Sequence, residues 1–250
     1  MKFKCLMWVS SVVAFASVVL GEGSVRDDMD QKIEKDIVRM GLRGTFSSRP
    51  FDYLLRQCEY DSNRLCRVAQ DVYMRHGEVG TRHFSLWIIE DYGDTSYIPF
   101  LETCVTNQMH GCFAMRILNR FEGFTSNSVD RVARFHSVTN QYVYDVDMRV
   151  FSERSSAIKN LAYDVKKYSP DNALKSYAIS YVLSYASNNC YQAGTVDRAL
   201  ISIDPGYEES RRRLAFLRYA LPRSRGPYLP QYIADEIGKL EAYPEADLPE

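Results

Sequence analysis

Motifs that announce chemistry are missing from this sequence. It has no glycine-rich phosphate loop, no His-x-x-x-His or Cys-x-x-Cys pair and no Gly-x-Ser-x-Gly elbow. The commonest sequence signs of nucleotide binding, a zinc site and a serine hydrolase are therefore absent. The four histidines (His76, His83, His110 and His136) are scattered. His76 and His83 can meet across a loop, but two ligands do not make a zinc site. The acid pairs Asp91/Asp94 and Asp145/Asp147 lack the spacing of a calcium loop and read as solvated surface. No cofactor or metal is expected. An excess of charge is lacking too: 31 Lys and Arg face 32 Asp and Glu. That balance gives no electrostatic footprint for DNA or RNA, so no nucleic-acid partner is expected.

Long apolar runs are missing after the first one. Lys2 and Lys4 precede an uncharged stretch from Cys5 to Leu20, and small residues follow at Val19-Leu20-Gly21. Charge, apolar run and small residues in that order describe a secretory signal peptide, residues 1–21, with cleavage after Gly21 or alternatively after Gly23. The rival reading is a retained anchor. The run has 16 residues, whereas a spanning helix needs about 20. Cys5 sits at the wrong end of the run for lipid attachment. Export to an extracytoplasmic place, periplasmic or secreted, is expected, with no stable membrane span after cleavage. Losing Lys2 and Lys4 leaves 29 cationic residues against 32 acids, a net charge of −3.

What is present is helical periodicity. Met29, Ile33, Ile37 and Met40 recur at helical spacing, with Gly41 as a stop. Similar patterns predict helices near 50–60, 64–76, 81–91, 96–107, 111–122, 127–140, 154–168, 171–187, 195–202, 206–221 and 230–242. Val143–Val150 is the one strand-like piece, and it reads equally as a loop. Residues 243–250, with two prolines and three acids, read as a disordered acidic tail after a helical domain of 22–242.

An internal offset of 46 residues relates Leu55 to Leu101, Cys58 to Cys104, Cys66 to Cys112, Val72 to Leu118 and Gly77 to Gly123. Repeats of about 40–47 residues are a known helical class. The clearest units are 50–95 and 96–140. Within each unit the two cysteines stand eight steps apart. On one continuous helix their sulfurs would be about 12 Å apart, too far to bond. A turn is therefore predicted between them, at Asp61-Ser62-Asn63 and at Thr106-Asn107. Disulfides Cys58–Cys66 and Cys104–Cys112 are expected, each stapling an αα-hairpin, in keeping with export. Cys190 is left as a buried, inert thiol, with an intermolecular bridge as the alternative.

At residues 93–101 the text Gly-Asp-Thr-Ser-Tyr-Ile-Pro-Phe-Leu resembles the Gly-Asp, spacer, apolar-Pro-x-Leu junction of HEAT-like repeats. Gly93 suits a left-handed helix end, Asp94, Thr95 or Ser96 a cap, and Pro99 a first helical turn. The resemblance covers residues 50–140, and no second Gly-Asp…Pro junction occurs. The cysteine spacing is also similar to disulfide-stapled, tetratricopeptide-like hairpins. Either resemblance implies an all-α fold of stacked antiparallel helix pairs forming a short α-solenoid with a concave binding face, and neither implies catalysis.

In the C-terminal half, Leu174, Ala178, Val182 and Tyr185 form an apolar stripe that Tyr177 and Tyr181 widen. Core packing is the first reading. A tyrosine platform for glycan or peptide is the alternative. Asp204-Pro205 reads as a cap and first turn. Glu208 and Glu209 stand four residues before Arg212 and Arg213, so Arg211–Arg213 reads as a solvated helix face. An anion patch including Arg212, Arg218, Arg223 and Arg225 is the minority reading. Ser156-Ala157-Ile158-Lys159 matches the Ser-x-x-Lys of penicillin-recognising enzymes, but its Lys-Thr-Gly companion is missing. The function expected is an exported, non-enzymatic scaffold whose partner is another protein. The glycan or peptide module is the runner-up, and a helical hydrolase with an unrecognised site comes third.

Overall fold

The computed structural model describes residues 28–44, 48–139, 148–189, 192–244 and 248–249. Residues 1–21, read above as a leader, residues 143–147 of the strand-like piece and Cys190 lie outside them. The fold is all-α, and no strand occurs among the described residues. In chain order the helices are α1 (Asp28–Arg43), α2 (Ser48–Gln57), α3 (Ser62–Arg75), α4 (Val79–Tyr92), α5 (Ile98–Cys104) and α6 (Gly111–Glu122). They continue with α7 (Ser126–Thr139), α8 (Met148–Tyr168), α9 (Asn172–Asn188), α10 (Ala193–Ile203), α11 (Arg211–Ala220) and α12 (Leu229–Glu241). Among the described residues, no helix is long and apolar enough to cross a membrane.

Local chemistry sets many of the boundaries. Asp61 accepts from the Arg64 N–H at 3.0 Å and starts α3. Asp171 accepts from Leu174 N–H at 2.8 Å and starts α9. Each cap satisfies one of the unpaired donors of a first helical turn. Pro99 sits in the first turn of α5, as its missing N–H allows. Gly123 ends α6 at φ +79°, where a side chain would be strained.

Several expectations are corrected. Gly93 ends α4 at φ −79°, not in the left-handed region. Its constraint is space: a Cβ there would lie 2.5 Å from the Ile89 carbonyl oxygen. Gly41 does not stop α1, which runs on to Arg43 before Gly44 turns at φ +62°. Gly41 instead meets α4, and a Cβ on it would come within 2.6 Å of Thr81 Cα. Asp204-Pro205 opens only a short 3-10 turn, Pro205–Tyr207. Helix α11 starts later, where Ser210 accepts from Arg213 N–H. Of the tail, Leu248 is buried, and α11 holds Pro249 through the Arg211 N–H to its carbonyl at 2.8 Å.

Neighbours in sequence are neighbours in space. Helices α1, α3 and α4 pack together around Ile33, Ile37, Leu65, Ala69, Phe84 and Ile88. Helices α6 and α7 pack on α8, which also meets α9 and α10, and α11 and α12 close the end against α10. The order α2–α3–α4 is matched by α5–α6–α7. Cys58 follows the last residue of α2 and Cys104 is the last of α5, while Cys66 and Cys112 lie inside α3 and α6.

Candidate functional site

A solvent-open groove of about 700 Å³ runs along α1 and the end of α3. It is lined by Gln31, Glu34, Lys35, Val38, Arg39, Leu42, Arg43, Arg75 and His76. Helical spacing puts Lys35, Val38 and Leu42 on one side of α1, while Ile33 and Ile37 turn into the core. Leu42 is 61% exposed, a large apolar side chain with no core to fill. Cations surround it. Glu34 is engaged by Arg75 (3.2 Å) and by His76 Nε2 (3.2 Å). Arg39 binds Asp36 at 2.7 Å. Lys35 and Arg43 make no ion pair among the described residues. The groove thus combines an apolar pair with a net positive rim.

The predicted site residues meet different fates. The two expected disulfides are not formed: Cys58, Cys66, Cys104 and Cys112 are free and buried. The first turn explains half of this. It falls at Glu59 and Tyr60, both left-handed (φ +56° and +63°), rather than at Asp61–Asn63. Helix α3 therefore starts early and seats Cys66 inside itself, its thiol 3.9 Å from the Ile88 carbonyl of α4. In the second unit Cys112 turns to α8, its thiol 2.9 Å from the Glu153 carbonyl, while Cys104 lies beside Tyr73 of α3. Burial pushes the Cys58 and Cys66 thiols up to about 11 and about 12. They are held as thiols, not as nucleophilic thiolates.

Tyr177 and Tyr181 both tie α9 to α7. The Tyr177 hydroxyl donates to Asp130 Oδ1 at 2.5 Å, although the residue is 44% exposed. The Tyr181 hydroxyl lies 2.5 Å from His136 Nδ1. Both polar handles of the imagined platform are thus used within the chain. The arginines take separate partners. Arg211 holds the Leu248 carbonyl at 2.9 Å, Arg212 pairs with Asp204 at 3.3 Å, and Arg218 pairs with Glu241 at 2.9 Å. Arg213 overturns the solvated-face expectation. It is 4% exposed and grips the fully buried Asp197 of α10 with two bonds of 2.9 Å, then adds Glu236 at 2.6 Å. Asp197 also accepts from the Tyr232 hydroxyl at 3.0 Å.

Sequence reasoning missed two further buried polar clusters. His136 stacks on Tyr185 with ring centres 4.2 Å apart, and its Nε2 lies 3.0 Å from the Arg154 carbonyl oxygen. A carbonyl only accepts, so Nε2 carries the proton and Nδ1 accepts from Tyr181. Burial drives the imidazole down to about 3, so the ring is neutral. Arg154 donates to the His136 carbonyl and to Thr139 Oγ1, both at 3.0 Å. In the second cluster Asn119 donates to Asp164 at 2.7 Å and accepts from Ser128 at 2.7 Å. Burial raises the Asp164 carboxyl, against the hydrogen bond from Asn119. The available signal was a polar residue on an apolar helix face: His136 after Val129, Val132 and Phe135, and Asp197 between Val196 and Leu200.

No group of three or more His, Cys, Asp or Glu side chains that could hold a metal ion occurs among the described residues. No family model, curated protein or solved structure matches this chain.

Proposed function

We propose that this chain is an exported, non-enzymatic scaffold of the HEAT-like or tetratricopeptide-like kind. On this reading it grips an acidic, amphipathic segment of a partner protein in the groove of α1. The observation that carries the reading is the groove itself: an exposed Leu42 and a half-buried Val38 within a rim of Lys35, Arg39, Arg43 and Arg75. A helix laid in a groove is anchored by apolar residues at i and i+4, and Val38 and Leu42 repeat at that interval. The cations select carboxylates beside those anchors and speed encounter more than they add affinity. The leader of residues 1–21 supports an extracytoplasmic setting. The glycan or peptide module has less support, because the Tyr177 and Tyr181 hydroxyls already serve α7.

The test uses a labelled probe helix with two leucines four residues apart, flanked by glutamates, and a control helix with lysines in their place. Saturable binding of the acidic probe alone, weakened by salt and lost in Leu42→Glu, supports the reading. Equal binding of both probes, or binding indifferent to Leu42→Glu, refutes the groove. A leaderless chain found in the extracytoplasmic fraction as abundantly as the full chain refutes export by residues 1–21.

A further inference from the structure

A second cleft, of about 360 Å³, opens where the α3–α4 loop meets the α5–α6 loop. Gly77, Val79 and Arg82 line one side, and Thr106 to His110 the other. Three features set it apart from ordinary surface. The first is Arg82. Its Nε is fixed by the carbonyls of His76 (2.7 Å) and Tyr73 (3.2 Å). Its two terminal nitrogens make no hydrogen bond or ion pair among the described residues. The guanidinium is therefore positioned but not neutralised, and no acid is among the described lining residues. The second is His110, which is 1% exposed and packed against the rings of Tyr73 and His83. Its Nδ1 is buried with no hydrogen-bond partner, and its Nε2 finds none among the described residues either. Buried polar atoms are rarely left so. The third is the start of α6, twelve residues long, which begins after His110 without a side-chain cap. Its Gly111 N–H is already given to the Asn107 carbonyl at 2.8 Å, so what it adds is the positive end of the helix dipole, which favours an anion.

The charge of the cleft chooses among anions. Burial, with His83 and Arg82 nearby, holds the His110 ring down to about 4, so it is neutral and offers one N–H. Arg82 is then the single full positive charge. One positive charge balances a monoanion, whereas a phosphate dianion would leave a net negative charge in a half-enclosed site. A planar fork matches a carboxylate with two parallel bonds. Val79 and Met109 supply apolar surface for the carbon chain. The volume lies at the low end of small-ligand pockets, which run from roughly 300 Å³ upward.

We propose that this cleft binds the carboxylate group of a small monoanionic ligand, with Arg82 as its anchor, His110 and Asn107 as flanking donors and Met109 against its carbon chain. The site is separate from the α1 groove and stands whether or not that groove binds a protein. The carboxylate has two possible sources, a free short-chain acid or the C-terminus of a peptide.

The experiment is a titration of the full mature chain followed by amide NMR. The probes are hexanoate, an acetylated Gly-Leu dipeptide with a free C-terminus, its C-terminal amide, and inorganic phosphate. Saturable shifts at Gly77, Thr106 to Gly111 and the Arg82 side chain with hexanoate are expected. Binding of the free dipeptide but not its amide would assign a peptide C-terminus. Exclusion of both would assign a free acid. Arg82→Gln should weaken binding by about tenfold or more, as loss of a charged hydrogen-bond partner does. Arg82 also ties loop carbonyls, so Met109→Trp serves as the second variant. It fills the cleft, leaves Arg82 in place, and should abolish the shifts with unchanged melting temperature. Absence of shifts at these amides at tens of millimolar hexanoate overturns the proposal. So does phosphate binding as tight as hexanoate, or hexanoate binding unchanged in both variants.

Discussion

Replacing Arg213 with methionine should be among the most damaging single changes in this protein. Methionine keeps most of the volume and the apolar stem but removes the charge. Asp197, which has no exposed surface, would lose both of its 2.9 Å bonds from the guanidinium. Glu236 would lose its 2.6 Å bond as well. Breaking one side of a buried ion pair costs about 3–5 kcal/mol, because the remaining charge is stranded. Tyr232 still donates to Asp197 at 3.0 Å, which moves the loss towards the lower figure. In a chain of this size each kcal/mol is worth about 2–4 °C of melting temperature, so Arg213→Met should lower it by about 6–20 °C. The double variant Arg213→Met/Asp197→Leu removes both charges and should recover most of the loss, since apolar replacements of whole buried pairs are often neutral. Urea denaturation of the four proteins in the cycle gives the coupling directly. A single variant within about 1 kcal/mol of wild type, or a double variant worse than either single, would refute the account of this cluster.

Three other outcomes are expected. His110 and His136 both sit below the ordinary histidine value, at about 4 and about 3. Their unfolded forms therefore bind protons first, and the stability they give is complete above about pH 6.5 and drains away as the pH falls towards 4. The advantage of wild type over His110→Gln in urea should shrink between pH 7 and pH 4; a constant difference would contradict this. Gly111→Ala should cost about 1–3 kcal/mol by overpacking, because its Cβ would meet the Val105 carbonyl oxygen at 2.3 Å and the Phe135 ring at 2.7 Å. Thermal melting reads it, and an unchanged midpoint would show that α6 can shift freely. The cysteines at 58, 66, 104 and 112 should resist a thiol reagent in the folded protein and all react after unfolding in urea. Mass-spectrometric peptides linking any two of them would contradict the free-thiol arrangement.

Much of the helical layout was legible because apolar residues recur at one period and polar caps punctuate them. Helices α6, α7, α9 and α12 begin and end within about two residues of the spans read from the sequence. That is the ordinary reach of pattern reasoning, since boundaries are its weakest part. The partners of buried charges were not legible. Glu208 and Glu209 stand one helical turn before Arg212 and Arg213, and a local rule assigned the pairs to them. The first residues of α11 start too late for that geometry, and Arg213 turns inward to Asp197, sixteen residues back. The cysteine pairs failed for a similar reason. Their spacing required a turn, and a turn is there, but it fixes neither the direction each thiol faces nor the helix it meets. The α1 groove was hidden because Gly41 reads as the stop of α1, which leaves Leu42 outside the helix and off the face of Ile33 and Ile37. Exposure of such a residue is a property of its neighbours, not of the sequence around it.

Helix α8 has 21 residues and so runs for about 31 Å. It gives Arg154 to α7 and α9, Asp164 to α6, and Ile158, Leu161 and Val165 to the common core. In a simple stacked array each unit answers only to the next one, and melting can begin at an end and travel. A single helix shared by both halves changes that. Neither half can come away without baring an apolar stripe of α8 and stranding a buried arginine or carboxyl. The consequence is cooperativity: the chain from α6 to α10 should melt in one calorimetric transition, and a fragment cut before Met148 would lose the surface on which α6 and α7 rest.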